Sequence, residues 1–271
     1  MIADFIKSAL AEDIGRGDLY ARVSKPVDAY AKVIAKSSGI FAGELYLQEL
    51  AKLESFELEF LVNDGEAFKS GDTLLELRGS SHILLRIERT LLNILLHASS
   101  IATLTNEYVK ILEPYGVKLL DTRKTRPHLR NFEKYAARVG GGTNHRMGLD
   151  DSLMLKDTHL KTIKNLDEFM SEARKSIPFT AKIEIESESL DDAVIAMRAG
   201  ADIVMCDNMS IDELVRVVKY RDEHHKSTLL EASGNITLDT IESYAKSGVD
   251  AISTGATIHQ SSWIDISMKM Q

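Results

Sequence analysis

Apolar residues recur at helical spacing over residues 2–12, where Phe5, Ile6, Ala9 and Leu10 share one side, and Gly15 and Gly17 stop the pattern. From Tyr30 to Phe41, and again from Leu58 to Arg78, the pattern favours strands. The second stretch is broken by turns at Asn63-Asp64-Gly65 and Ser70-Gly71-Asp72, so an antiparallel sheet is expected. Residues 83–112 then carry Leu, Ile and Val at three- and four-residue spacing with no Pro or Gly, which predicts one or two long helices leading to a boundary near residue 114.

Beyond residue 115 short apolar strands alternate with helices. The strands are expected at 117–121, 152–156, 181–186, 202–207, 228–233 and 250–255, with helices at 190–198, 211–221 and 238–247 between the later ones. The repeat of about 22 to 25 residues is short for a strand-helix unit, which points to a tight barrel with fewer than the usual eight strands. The expected architecture is an N-terminal α+β domain (1–114) with an antiparallel sheet, followed by an incomplete, about six-stranded α/β barrel (115–259). A tail over 260–271 could pack back on the first domain. A doubly wound open sheet is the structural alternative. What favours the barrel is that Asp121, Lys156, Glu186, Asp207, Ser233 and Gly255 end successive strands, and in a barrel such ends converge on one mouth.

Composition narrows the classes of function. The chain has 271 residues, 44% of them hydrophobic and 27% charged, enough to bury a full core. A net charge of -8 argues against a nucleic-acid binder held by bulk charge, so an anionic ligand must be met by a local concentration of Arg and Lys. Cys206 is the one cysteine, which excludes an intramolecular disulfide and fits a reducing cytoplasm. Charges interrupt the apolar periodicity of the N-terminus and no run approaches transmembrane length, so a soluble cytoplasmic protein without a membrane partner is expected.

The cations are concentrated where the strand ends are. Lys118, Arg123, Lys124, Arg126 and Arg130 fall within thirteen positions, three of them just after a strand, and the bland alternative is a solvated loop. Gly140-Gly141-Gly142 then leads into Thr143-Asn144-His145-Arg146 as a flexible backbone beside further cations, and Lys156 closes the next strand. Arg forks suit carboxylates and phosphates while Lys acts as a point charge, so the mixture suits a ligand carrying both. Glu186 and Asp207, 21 residues apart at consecutive strand ends, invite magnesium or sugar hydroxyls. The alternative is that Glu184 and Glu186 alternate on a strand with one merely exposed. The loops 231–237 and 253–256 are rich in small residues whose amides can approach a phosphate, or their glycines simply make tight turns. His259 follows the second loop and could reach the same ligand. His82, His97, His224 and His225 read as surface or core-edge residues, and Cys206 as a packing residue.

Taken in order, Glu88-Arg89-Thr90 with Asn93, Ser100 with Thr103, the run Asp121 to Pro127, Asn144-His145-Arg146, Lys156-Asp157-Thr158-His159, Glu184 with Glu186, Cys206-Asp207-Asn208, Glu231-Ala232-Ser233-Gly234 and Gly255 with His259 resemble the quinolinate phosphoribosyltransferase family over nearly the whole chain. The early run Glu12 to Asp18 is similar to that family's N-terminal signature, although Leu19-Tyr20 follows where a Thr commonly falls. The resemblance implies transfer of a phosphoribosyl group from phosphoribosyl pyrophosphate to quinolinate with decarboxylation, giving nicotinate mononucleotide, pyrophosphate and carbon dioxide in NAD formation, with Mg2+ as cofactor. It implies that Thr122, Arg123, His145 and Arg146 hold the quinolinate side, joined by Arg89 from a second subunit. Lys124 and Lys156 would act between quinolinate and the phosphates. Glu186 and Asp207 would serve the ribose hydroxyls and the metal, Ser233, Gly234 and Gly255 the 5′-phosphate, and His259 the pyrophosphate. A homodimer with shared sites is then the minimal active unit, and it could assemble further into a hexamer. Three rivals remain at the level of sequence: a related pyrophosphorylase acting on a different base, a barrel aldolase using Lys156 as a Schiff base, and a non-catalytic phosphometabolite sensor.

Overall fold

The computed structural model describes residues 1–271. The chain divides into two compact units: Met1–Asn106 with Tyr135–Gly141 and Ser261–Gln271, and Glu107–Lys134 with Gly142–Gln260.

In the first unit, α1 (Ile2–Ile14) buries Ile6 and Leu10 and stops at Gly15, whose φ of 56° suits a residue without Cβ. The short α2 (Leu19–Val23) starts at Asp18, whose carboxylate accepts the Tyr20 amide. Strands β1 (Asp28–Ala35) and β2 (Gly39–Ile40) occupy the first expected strand segment, cut in two around residue 37. A helix that the strand pattern does not anticipate, α3 (Glu44–Glu54), turns Tyr46, Leu47 and Leu50 inward. The second segment becomes β3 (Glu57–Phe60), β4 (Ala67–Phe68) and β5 (Thr73–Ser80), separated at the two expected turns. A single helix, α4 (Ser81–Leu112), follows. The main sheet is antiparallel, with the tail strand β12 (Ile266–Met270) on its edge in the order β12-β1-β5-β3. On β1 the burial alternates, with Ala31, Val33 and Ala35 in the core, as a half-buried strand requires.

The second unit, after a 3₁₀ turn at Glu113–Tyr115, alternates strand and helix. Its elements are β6 (Lys118–Leu120), α5 (Arg130–Val139), β7 (Leu153–Leu155), α6 (Asp157–Leu160), α7 (Leu166–Ser176), β8 (Ile183–Ser187), α8 (Leu190–Arg198), β9 (Ile203–Asp207), α9 (Ile211–His224), β10 (Leu229–Ser233), α10 (Ile241–Ala245), β11 (Ala251–Ser253) and α11 (Ala256–His259). The last residues of α5, from Tyr135 on, belong to the first unit. Helices α7, α8 and α9 begin at Asn165, Ser189 and Ser210, whose side chains accept the amides of Glu168, Asp192 and Glu213.

The six strands are all parallel, in the order β6-β11-β10-β9-β8-β7. The free edge of β6 takes one further bridge, Leu120 to Thr143. No ladder joins Thr143 to β7, and the barrel is incomplete there. The Arg146 side chain crosses that gap, donating to the Ser152 carbonyl at 2.9 Å and to Met154 Sδ at 3.5 Å. The expected incomplete six-stranded barrel is the architecture found. Strands buried on both faces read as nearly continuous apolar runs, and that makes two inward carboxylates, Glu184 and Glu231, conspicuous. No helix of the chain is long and apolar enough to cross a membrane.

Candidate active site

The C-terminal ends of the barrel strands surround a cavity of about 430 Å³ built entirely from the second unit. Thr122, Arg123, Lys124, His145, Arg146, Lys156, Glu186, Asp207, Ser233 and Gly234 all line it. Gly255 and His259 sit behind this lining, against Lys124. A Cβ at position 255 would meet His259 Cδ2 at 3.1 Å and Lys124 Cδ at 3.2 Å. Arg89 is exposed on α4 of the first unit and does not contribute to this wall.

The basic run divides by role. None of the hydrogen bonds or ion pairs engages the Arg123 guanidinium or the Lys124 ammonium, so both are available at the mouth. Arg126 instead binds Glu133 through its backbone amide at 2.9 Å and its Nη1 at 2.5 Å. Arg130 donates to the Met147 carbonyl at 3.0 Å. Lys118 starts β6, and it lines a different cavity that opens among the strand beginnings. Arg146 is buried; burial and the neighbouring Arg123 charge push its guanidinium below the usual value, with Glu184 opposing. Arg126 and Arg130 thus carry structural bonds although Arg126 stays exposed, while Arg123 and Lys124 line the cavity.

Glu184 and Glu186 lie two apart on β8 and therefore face the same way, so the reading in which one is merely exposed does not hold. Glu184 has no accessible surface, and Glu186 reaches the cavity, where its Oε2 accepts Lys156 Nζ at 2.9 Å. Below it, His145 Nε2 lies 3.1 Å from Glu184 Oε2 and 3.4 Å from Glu231 Oε2. Burial alone would lower the imidazole; the two carboxylates outweigh it and raise His145 to about 10. Burial likewise raises Glu184. The Arg146 amide nitrogen lies 2.7 Å from His145 Nδ1, while Nε2 faces the two carboxylates. The ligand-type atoms of His145, Glu184 and Glu231 lie within 4.8 Å of one another. Glu231 belongs to one of the runs that carry the family resemblance but takes no role of its own from it; its place two residues before Ser233 on the same strand puts it on the same face as Ser233.

At the next two strand ends, Asp207 accepts the Asn208 amide group at 2.8 Å, and Asn208 Oδ1 accepts Asn235 Nδ2 at 3.2 Å. Asn208 and Asn235 adopt φ of 54° and 50°, and Gly234 105°. A Cβ at position 234 would lie 2.3 Å from Asn208 Oδ1 and 2.8 Å from its amide nitrogen, so this glycine is demanded by the approach of the two loops. The loop after β11 opens directly onto α11, whereas the loop after β10 does not lead into a helix until Ile241. Gly140, expected as part of a flexible backbone, has a different cause: a Cβ there would lie 2.4 Å from the Ala102 carbonyl oxygen on α4. Cys206 is buried inside β9 and burial pushes its thiol up to about 12, consistent with packing rather than nucleophilic chemistry.

A parallel α/β barrel whose mouth combines unpaired Arg and Lys, an ion-paired Lys156–Glu186, a second strand-end carboxylate and two small-residue loops defines an enzyme of phosphorylated, multiply anionic small molecules. Known proteins carry this further. Residues 18–99 match the model of the quinolinate phosphoribosyl transferase N-terminal domain, and residues 101–269 that of its C-terminal domain. A probable nicotinate-nucleotide pyrophosphorylase [carboxylating] of Synechocystis sp. is 36% identical over 273 residues, covering 100% of this chain and 92% of that protein. The Bacillus subtilis protein of the same description is 38% identical, covering 95% and 89%. The solved nicotinate-nucleotide pyrophosphorylase of Francisella tularensis superposes with a TM-score of 0.93 at 35% identity, covering 100% of this chain and 96% of that one. The chain belongs to the quinolinate phosphoribosyl transferase family and is a phosphoribosyl-transferring enzyme.

Proposed function

We propose that the mouth of the barrel is where quinolinate and phosphoribosyl pyrophosphate become nicotinate mononucleotide, pyrophosphate and carbon dioxide. The observation that carries the assignment is the convergence of the unpaired Arg123 and Lys124 with Arg146, Lys156, Glu186, Asp207 and the Ser233-Gly234 loop on one cavity. Arg123 and Arg146 take the quinolinate carboxylates, with Thr122 beside them and His145 behind them as a charge held in place by Glu184 and Glu231. Lys124 and Lys156 lie between the base and the phosphates. Glu186 and Asp207 meet the ribose hydroxyls, Ser233, Gly234 and Gly255 the 5′-phosphate, and His259, packed against Gly255 and Lys124, the pyrophosphate end.

No covalent enzyme intermediate is needed. The pyridine nitrogen attacks C1′ of the ribose as the bond to pyrophosphate breaks, and the lysines meet the negative charge that develops on the leaving group. The ring nitrogen is then cationic. It stabilises the electron pair left at C2 when the adjacent carboxylate departs as carbon dioxide, and a proton is then taken up at C2. Glu186 and Asp207 are hard oxygen donors at neighbouring strand ends, and this set fits magnesium, which takes one or two carboxylates together with substrate phosphates. When bound, the ion neutralises charge on the pyrophosphate.

Arg89, exposed on α4, is proposed to enter the site of a second copy, which makes a homodimer the active unit and leaves assembly to a hexamer open to a mass measurement. A cytoplasmic location is part of the same proposal, since both substrates are charged small molecules of metabolism. The ion-paired Lys156 ammonium speaks against the Schiff-base reading, which needs a free amine. The test is an assay for nicotinate mononucleotide with quinolinate or nicotinate as base, with and without magnesium, on the wild type and Arg123→Ala. Turnover of quinolinate alone, dependent on magnesium and lost in Arg123→Ala without loss of fold, is expected. Equal use of nicotinate, or near-normal kcat/KM in the variant, would overturn the base assignment.

A further inference from the structure

The first turn of α5 contributes no side chain to the cavity wall, yet Glu133 and Lys134 have no accessible surface at all. Two adjacent ionised residues are an expensive way to fill an interior. Isosteric apolar residues would pack there without desolvating charge, so the charges need a reason. Their partners supply it. Glu133 receives the Arg126 amide at 2.9 Å and the Arg126 Nη1 at 2.5 Å, which fixes the end of the loop that carries Arg123 and Lys124. Lys134 Nζ donates to Asp121 Oδ1 and, at 2.7 Å, to the His145 carbonyl.

Asp121 is the shared anchor of this second loop. It also accepts the His145 amide at 2.8 Å and Asn144 Nδ2 at 2.6 Å, while Asn144 returns to the Lys134 carbonyl at 2.9 Å. Burial raises Asp121 and lowers Lys134, so each depends on the other and on these hydrogen bonds to stay charged. Arg130, three and four residues earlier on the same helical face, ties both loops again through Thr125 Oγ1 at 3.3 Å and the Met147 carbonyl at 3.0 Å. One helical turn therefore holds the loop bearing Arg123 and the loop bearing Arg146.

We propose that Glu133 and Lys134 are positioning residues that fix the separation of Arg123 and Arg146, and thereby set the enzyme's affinity for a dicarboxylate base far more than its grip on the phosphoribosyl donor, of whose contacts only Lys124 shares the anchored loop. The inference rests on the assignment of Arg123 and Arg146 to the carboxylates. Misplacing a binding group by about 1 Å can lose on the order of 100-fold.

The experiment measures the dissociation constants of quinolinate and of phosphoribosyl pyrophosphate separately by calorimetry, which does not need turnover, in Glu133→Gln, in the charge-free pair Asp121→Asn/Lys134→Met and in Arg123→Ala, with kcat for the variants that retain activity. Glu133→Gln keeps an acceptor for Arg126, and the paired variant leaves no lone buried charge, so both are built to fold. The expected result is a rise in the quinolinate dissociation constant of about 10-fold or more in all three, with that for phosphoribosyl pyrophosphate changed much less. An unchanged quinolinate constant in Glu133→Gln, or an equal rise in both constants, overturns the proposal. If the paired variant does not fold, the Glu133→Gln result decides. The Arg123→Ala arm separates the two ideas. A selective rise there but not in Glu133→Gln defeats positioning alone, whereas no rise in Arg123→Ala defeats the carboxylate assignment beneath it.

Discussion

His145 carries its imidazole between Glu184 and Glu231, with the Arg146 amide on its other nitrogen. Its value of about 10 lies above the 6.5 of a free imidazole, so the folded state binds the proton more tightly than the unfolded chain. The stability this contributes is fully present below pH 6.5 and is lost as pH rises toward 10, by at most about 1.4 kcal/mol per pH unit for one proton. Glu184, also raised, changes in the same direction. We expect urea unfolding of the wild type to lose stability between pH 7 and 9.5, and the slope to shrink in Glu231→Gln, which removes one of the two carboxylates responsible. A wild type that is as flat as the variant over this range would contradict a His145 raised by its two carboxylates.

At the scale of elements, the close passage of Gly140 against α4 explains why the run Gly140-Gly141-Gly142 begins where it does. The Ala102 carbonyl oxygen, 2.4 Å from where a Cβ would stand, belongs to helix backbone, and Thr105 Cβ lies at 2.8 Å, so neither can yield as a flexible side-chain tip would. Gly140 keeps a negative φ, and the penalty of substitution is therefore steric rather than conformational. Gly140→Ala should destabilise by about 1–3 kcal/mol through overpacking, read as a lower urea midpoint at constant m. An unchanged midpoint would show that the helix and loop separate without cost. Gly141, with φ of 96°, has its own conformational reason to be glycine.

For the whole molecule, the net charge of -8 and the cationic mouth are compatible because the cations are local: Arg123, Lys124, Arg146 and Lys156 stand on loops and strand ends around one cavity. The proposed contribution of Arg89 from a second copy makes a prediction that belongs to the assembly. Arg89→Ala and Arg123→Ala subunits, each inactive alone, should regain about a quarter of wild-type activity when refolded together, because random pairing makes half the dimers mixed and restores one of two sites in each. No recovery in demonstrably mixed dimers would place Arg89 in the site of its own chain or outside any site.

The sequence by itself determined the two kinds of architecture, because period-two and period-3.6 burial leave direct traces in the order of apolar and polar residues. It located the six barrel strands to within a residue or two, and Asp121, Lys156, Glu186, Asp207 and Ser233 at or next to their ends. It also contained the order of motifs from which the family is legible. Only the tertiary structure decided which members of the basic run are free. Arg123 and Arg126 look alike along the chain, and their difference is Glu133, which reaches Arg126 because α5 folds back on the loop. The same holds for α3, whose amphipathic pattern is short, and for β12, which becomes a strand by pairing with β1 more than two hundred residues away. Buried charges such as Lys134 and Glu184 are the extreme case. Nothing local distinguishes them from surface residues, since their charge is tolerated only through partners that distant parts of the chain bring within hydrogen-bond reach.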